Sequence, residues 1–166
     1  MTIKVGDKLP AGTLMEFFEV EKDGCSIGPN PVKVEDLTKG RKVVIFGLPG
    51  AFTPTCSAKH LPGYVQHAGL LRSKGFDEIW CLSVNDAFVM GAWGKAQNAD
   101  ELLMLADGNA EFAKALGLTL DGSGFGMGTR SQRFALVAEN GVVKHLAVEP
   151  GPGLDVSAAE KILAVL

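Results

Sequence analysis

Thr53-Pro54-Thr55-Cys56 is the stretch with the clearest capacity for chemistry, entered from Pro49-Gly50-Ala51-Phe52 and followed four residues after the cysteine by His60. Thr53 suits a helix N-cap, and Pro54 suits the first helical position, where its missing N–H would have no partner anyway; Cys56 then falls in the first turn. Unpaired backbone N–H groups and the positive end of the helix dipole favour a thiolate there. The competing reading is an inert cysteine buried on an amphipathic helix, the commoner fate of a lone thiol. Dithiol exchange would require a cysteine where Thr53 stands. A hydroxyl cannot resolve a mixed disulfide, but it can hydrogen-bond a thiolate and a bound oxygen. T-x-x-C therefore points to attack by a single thiolate on a small oxidant.

The elements that must position this thiol follow from the pattern around it. Lys42 to Leu48, "KVVIFGL", is a continuous β-branched and aromatic run, as expected of a strand covered on both faces. It runs straight into the Cys56 loop, so the thiol is expected at the carboxyl edge of a sheet, where α/β proteins place their sites. A helix is predicted from Thr53 to about Arg72, a second buried strand from Asp77, and a helix opening at Asn85-Asp86 and running to about Gln97. Strands are also expected at Thr13 to Val20, at Val32 to Glu35 and from Glu101, with a short helix from Asn109 to Leu116 closed by Gly117. Apolar runs flank Glu139-Asn140-Gly141, and Asn-Gly suits a type I′ hairpin turn. Ser157 and Glu160 form a potential capping box at the start of a final amphipathic helix. The order implies an α/β fold with a mixed sheet, helices on both faces and an N-terminal β extension. It is compatible with a thioredoxin-like fold, although periodicity does not separate that from a small flavodoxin-like sheet.

Composition narrows the function. A chain of 166 residues that is 46% hydrophobic fits a single domain, residues 1–166, with a core of its own. Lys and Arg total 16 against 19 Asp and Glu, giving a formal charge of −3 without a basic run, so nucleic acid is not an expected partner. The amino terminus lacks the pattern of a secretory signal, and no apolar run approaches the ~20 residues that a membrane span needs. Three cysteines, Cys25, Cys56 and Cys81, are an odd number in a chain too large to need disulfides, which suggests a reducing, cytoplasmic setting.

"PGAFTPTCSAKHLPGY" from Pro49, "SVNDAFVMGAW" from Ser83 and "RFALV" from Arg133 together resemble the type II, peroxiredoxin-5-like subgroup of the peroxiredoxins, in order and over nearly the whole chain. The resemblance implies a thioredoxin-like fold that reduces hydrogen peroxide and alkyl hydroperoxides without a bound cofactor. By matched position it implies Cys56 as the peroxidatic nucleophile, Thr53 as the hydroxyl holding thiolate and peroxide, Pro49 as the shield of the sulfur and Arg133 as the guanidinium. Full ionisation of a thiol gains only about 30-fold at pH 7, roughly 2 kcal/mol, so transition-state donors must supply most of the rate.

The neighbours have plainer readings. Arg130 and Arg133 follow "DGSGFGMGT", which lacks the Gly-Lys-Ser/Thr ending and flanking elements of a phosphate cradle and reads as a loop. His60 forms C-x3-H with Cys56, but with no second ligand pair this makes a poor metal site, and a structural or hydrogen-bonding role is expected. Trp80, Trp93 and Phe88 read as core or interface residues.

Some members of the subgroup carry a resolving cysteine before the last helix, where Val156 stands here. Cys81 matches a cysteine proposed as resolving in plant-type members, but it lies within a buried strand, and a disulfide would need Cα atoms within ~7 Å. Cys25 has no evident partner. The resemblance thus implies an external thiol donor, glutathione with glutaredoxin or a thioredoxin, and a homodimer. Two alternatives remain: a glutathione-dependent disulfide reductase, and a redox-sensing or chaperone-like binding module without turnover.

Overall fold

The computed structural model describes residues 1–19 and 27–166, which leaves Cys25 outside the described residues. Its centre is a seven-stranded mixed sheet in the order β2-β1-β5-β4-β3-β8-β9. β3 (Lys42–Leu48), β4 (Glu78–Ser83) and β5 (Leu103–Ala106) run parallel. The hairpin of β1 (Thr13–Phe18) and β2 (Gly28–Lys33) joins antiparallel at the β5 edge and forms the N-terminal extension. A second hairpin, β8 (Phe134–Glu139) and β9 (Val142–Val148), joins antiparallel at the β3 edge. Its two-residue loop is Asn140-Gly141, with φ of 49° and 78°, the left-handed pair that a type I′ turn requires.

Alternation along the central strands divides the core in two. Val44, Phe46, Leu48, Ile79 and Cys81 pack against α2 (Leu61–Ser73), α3 (Ala87–Ala96) and α5 (Ala159–Ala164). Val43, Ile45, Trp80 and Leu82 face the opposite way, where α4 (Glu111–Leu116) contributes Phe112 and Leu116. Helices thus cover both faces, and strands buried on both sides account for the unbroken apolar runs.

Four local expectations need correction. Val34 opens α1 (Val34–Thr38) and does not continue a strand; β2 ends at Lys33. The glycine-rich stretch is not irregular throughout: β6 (Thr119–Asp121) and β7 (Thr129–Ser131) pair around a short 3₁₀ turn at Ser123–Phe125. No capping box forms before α5, because the Ser157 hydroxyl donates to Glu149 Oε2 at 2.7 Å. The helix predicted from Thr53 starts at Pro54 but does not run as a regular α-helix, and this last difference shapes the site.

Candidate active site

Cys56 opens a π-helical turn, Cys56–His60, in which the Leu61 N–H reaches back five residues to the Cys56 carbonyl. Pro62 gives the physical reason. It has no N–H, and its ring crowds the carbonyl four residues earlier, so the chain widens to admit it. In this wider register an N–H at position 62 would serve the Ser57 carbonyl. Gln97 Nε2 donates there instead, at 3.2 Å, while Trp93 Nε1 donates to Ser57 Oγ at 3.0 Å. The fully buried Trp93 of α3 is therefore core, as expected, and also a tie to the residue after Cys56.

The loop ahead of the thiol is held at several points. Phe52 sits at φ 63°, an uncommon conformation for a side chain of its size. Asn85 Oδ1 accepts from the Ala51 N–H at 2.9 Å and from Ser83 Oγ at 2.6 Å, tying this loop to the end of β4. Arg130 Nη1 donates to the Pro49 carbonyl at 3.4 Å. The Thr53 hydroxyl donates to the Gly50 carbonyl at 2.6 Å; it does not cap the helix, and its proton is committed while its oxygen can still accept.

Arg133 immediately precedes β8. Because Phe134 pairs with Gly47 on β3, the arginine is delivered to the carboxyl end of that strand, beside the Cys56 loop. Gly47 is required there: a Cβ on it would come within 2.1 Å of the Phe134 ring. Arg133 Nη2 donates to Cys56 Sγ at 3.2 Å and Nη1 donates to His60 Nδ1 at 2.9 Å. All three side chains are buried, with Arg133 only 5% exposed. Its Nε has no hydrogen-bond partner among the described residues, which leaves a buried donor beside the thiol.

Burial, and then the charge of Arg133, lower the His60 pKa from 6.5 to about 3. The ring is neutral. Its Nε2 lies 3.3 Å from the Ser157 carbonyl, so the tautomer that satisfies both contacts carries its proton on Nε2 and accepts from Arg133 on Nδ1. The expectation of a hydrogen-bonding His60 agrees with this arrangement. The described residues contain no group of three or more His, Cys, Asp or Glu side chains placed to hold a metal.

The structure brings Pro49, Thr53, Cys56 and Arg133 to one sheet edge. Arg130 takes the adjacent position on the Pro49 carbonyl. Cys81 lies within β4 opposite Phe46, fully buried in the same apolar cluster as Cys56, and both thiols are free. Burial first, and then the proximity of Cys56, push the Cys81 pKa well above its ordinary value. Phe88 is 61% exposed and tilts against Phe17 at 5.7 Å, so it is not core. Asn85, Ser57, Glu149 and Ser157 support the site without a signature of that role in the sequence, where Asn85 and Ser157 read only as helix starts.

A mixed sheet with helices on both faces, and one cysteine at the start of a helix bonded to a buried arginine, has the layout of a thiol-dependent peroxidase. The Redoxin family model matches residues 4–163. Peroxiredoxin-2D of Arabidopsis thaliana is 48% identical over 165 residues, covering 99% of this chain and 98% of that protein. The chloroplastic peroxiredoxin-2E-2 of Oryza sativa subsp. japonica is 49% identical, covering 99% of this chain and 73% of that one. Reduced Prx3 of Vibrio vulnificus, solved in complex with H2O2, superposes with a TM-score of 0.91 at 52% identity over 99% of each chain. The chain belongs to the peroxiredoxins and has their thioredoxin-like fold.

Proposed function

We propose that Cys56 is the peroxidatic residue and that the protein reduces hydrogen peroxide and alkyl hydroperoxides with electrons from an external thiol. The contact that carries this reading is the bond from Arg133 Nη2 to Cys56 Sγ, made between two buried side chains. The thiolate attacks the terminal peroxide oxygen. An S–O bond forms as the O–O bond breaks, the sulfur becomes a sulfenic acid, and the departing alkoxide or hydroxide takes a proton from solvent. Arg133, with its unpartnered Nε–H, is the donor available to the negative charge that grows on the oxygens. Thr53 acts as an acceptor for the hydroperoxide proton, since its own proton is held by Gly50. Pro49 covers the sulfur, with its carbonyl held by Arg130.

A first external thiol condenses with the sulfenic acid, releasing water and leaving a mixed disulfide; a second thiol displaces it and restores Cys56. Glutathione with glutaredoxin, or a thioredoxin, supplies these electrons. This is favoured over Cys81, whose thiol is locked within β4 and held protonated by burial. The exposed rings of Phe88 on α3 and of Phe52, which tilts against Trp93 of the same helix, support a homodimer, and the odd number of cysteines supports a reducing cytoplasmic setting. Peroxide-dependent turnover of wild type and Cys81→Ala with each donor tests the cycle. External resolution predicts equal turnover of the two proteins; a Cys56–Cys81 disulfide formed at full yield after one equivalent of peroxide would reject it.

A further inference from the structure

Behind the arginine and the thiol lies a buried polar circuit that the chemistry above does not use. Glu149, just after β9, is buried, and its Oε2 accepts from three donors: Asp155 N–H at 2.8 Å, Ser157 N–H at 2.8 Å and Ser157 Oγ at 2.7 Å. Burial opposes the charge on this carboxylate, but the combined hydrogen bonds outweigh it and lower its pKa. These bonds pin the segment between β9 and α5. They fix the Ser157 carbonyl, which accepts from Tyr64 at 2.7 Å and faces His60 Nε2 at 3.3 Å. His60 Nδ1 then receives Arg133 Nη1, and the loop closes through the backbone, where Glu149 N–H donates to the Arg133 carbonyl at 2.9 Å.

We infer that Glu149 is a positioning residue for the peroxide reaction, acting through Ser157 and His60 to hold the Arg133 guanidinium on Cys56. The link that transmits the effect is the tautomer of His60. With the Ser157 carbonyl in place, the ring keeps its proton on Nε2 and offers a lone pair to Arg133. Without it, the Nδ1–H form becomes accessible, and that form sets a donor against a donor and turns the guanidinium away from sulfur. A carboxylate whose path to the thiol runs through Ser157, His60 and Arg133 thereby governs the aim of the group that touches it. The inference rests on the reading of Cys56 and Arg133 as the reacting pair.

The test is a double-mutant cycle read by stopped-flow oxidation of the reduced protein with hydrogen peroxide, with thermal unfolding measured on each variant. Wild type is read first: if peroxide left Cys56 unoxidised, the parent reading would fall before any variant was compared. Glu149→Met keeps the length of the side chain but offers no oxygen to the three donors, and its second-order rate is expected to fall by about tenfold. In a His60→Leu background, where the link is already cut, the same change should cost less than about twofold. Ser157→Ala, which removes only the hydroxyl bond, serves as the milder variant if Glu149→Met does not fold, and the same non-additivity is expected. A wild-type rate in Glu149→Met, or losses that multiply fully with His60→Leu, would overturn the inference, because a purely structural role lowers stability without coupling to His60.

Discussion

Arg133→Lys separates what the guanidinium does by charge from what it does by shape. The native group spans two partners at once, Cys56 Sγ at 3.2 Å and His60 Nδ1 at 2.9 Å, from a site only 5% exposed. A lysine ammonium keeps the charge, but its three N–H groups radiate from one nitrogen without the planar fork, so it cannot hold both partners and aim a further N–H at a peroxide. Loss of one preorganised donor to the developing charge costs about 2.7 to 4 kcal/mol, or about 10²- to 10³-fold in rate. A donor taken from the buried His60 Nδ1 costs a further 1 to 3 kcal/mol, roughly, in folding stability. Stopped-flow oxidation of the reduced variant gives the first quantity, and urea unfolding gives the second. An oxidation rate within about tenfold of wild type, less than one such donor supplies, would refute the reasoning, because charge alone would then suffice.

Two further outcomes follow from the same contacts. His60 is neutral in the folded protein with a pKa of about 3 against 6.5, so between these values the unfolded chain binds more protons and stability falls as pH drops. The slope from this group is at most about 1.4 kcal/mol per pH unit, and it should be absent from the unfolding curves of His60→Gln measured across that window. Gly47→Ala would set a Cβ 2.1 Å from the Phe134 ring in a filled core, and chemical denaturation should show a loss of about 1 to 3 kcal/mol or more.

Much of the fold was legible because both faces of the central strands are covered. "KVVIFGL" became β3 residue for residue, and the Asn140-Gly141 turn appeared where its dihedral needs demanded. That Pro49, Thr53, Cys56 and Arg133 come together at one edge was also legible, although Arg133 rather than Arg130 followed only from the family resemblance. What eluded the sequence was local competition for hydrogen bonds. Thr53 and Ser157 both look like helix caps, yet each hydroxyl is drawn to a nearer acceptor, the Gly50 carbonyl and Glu149. The π-turn at Cys56 could have been suspected from Pro62, which no α-helix accommodates six residues after a functional start without adjustment. Glu149 gave no signal of its own, since its importance lies in partners brought together by the hairpin and the last loop.

The claim on which the rest depends is that peroxide oxygen is transferred to Cys56. Mass spectrometry of the reduced protein after one equivalent of hydrogen peroxide, digested and compared with Cys56→Ser, decides it. The account predicts oxidation confined to the peptide carrying Cys56, and a Cys56→Ser protein that neither gains oxygen there nor consumes peroxide. Peroxide consumption by Cys56→Ser at the wild-type rate, or first oxidation at Cys25 or Cys81, would contradict it.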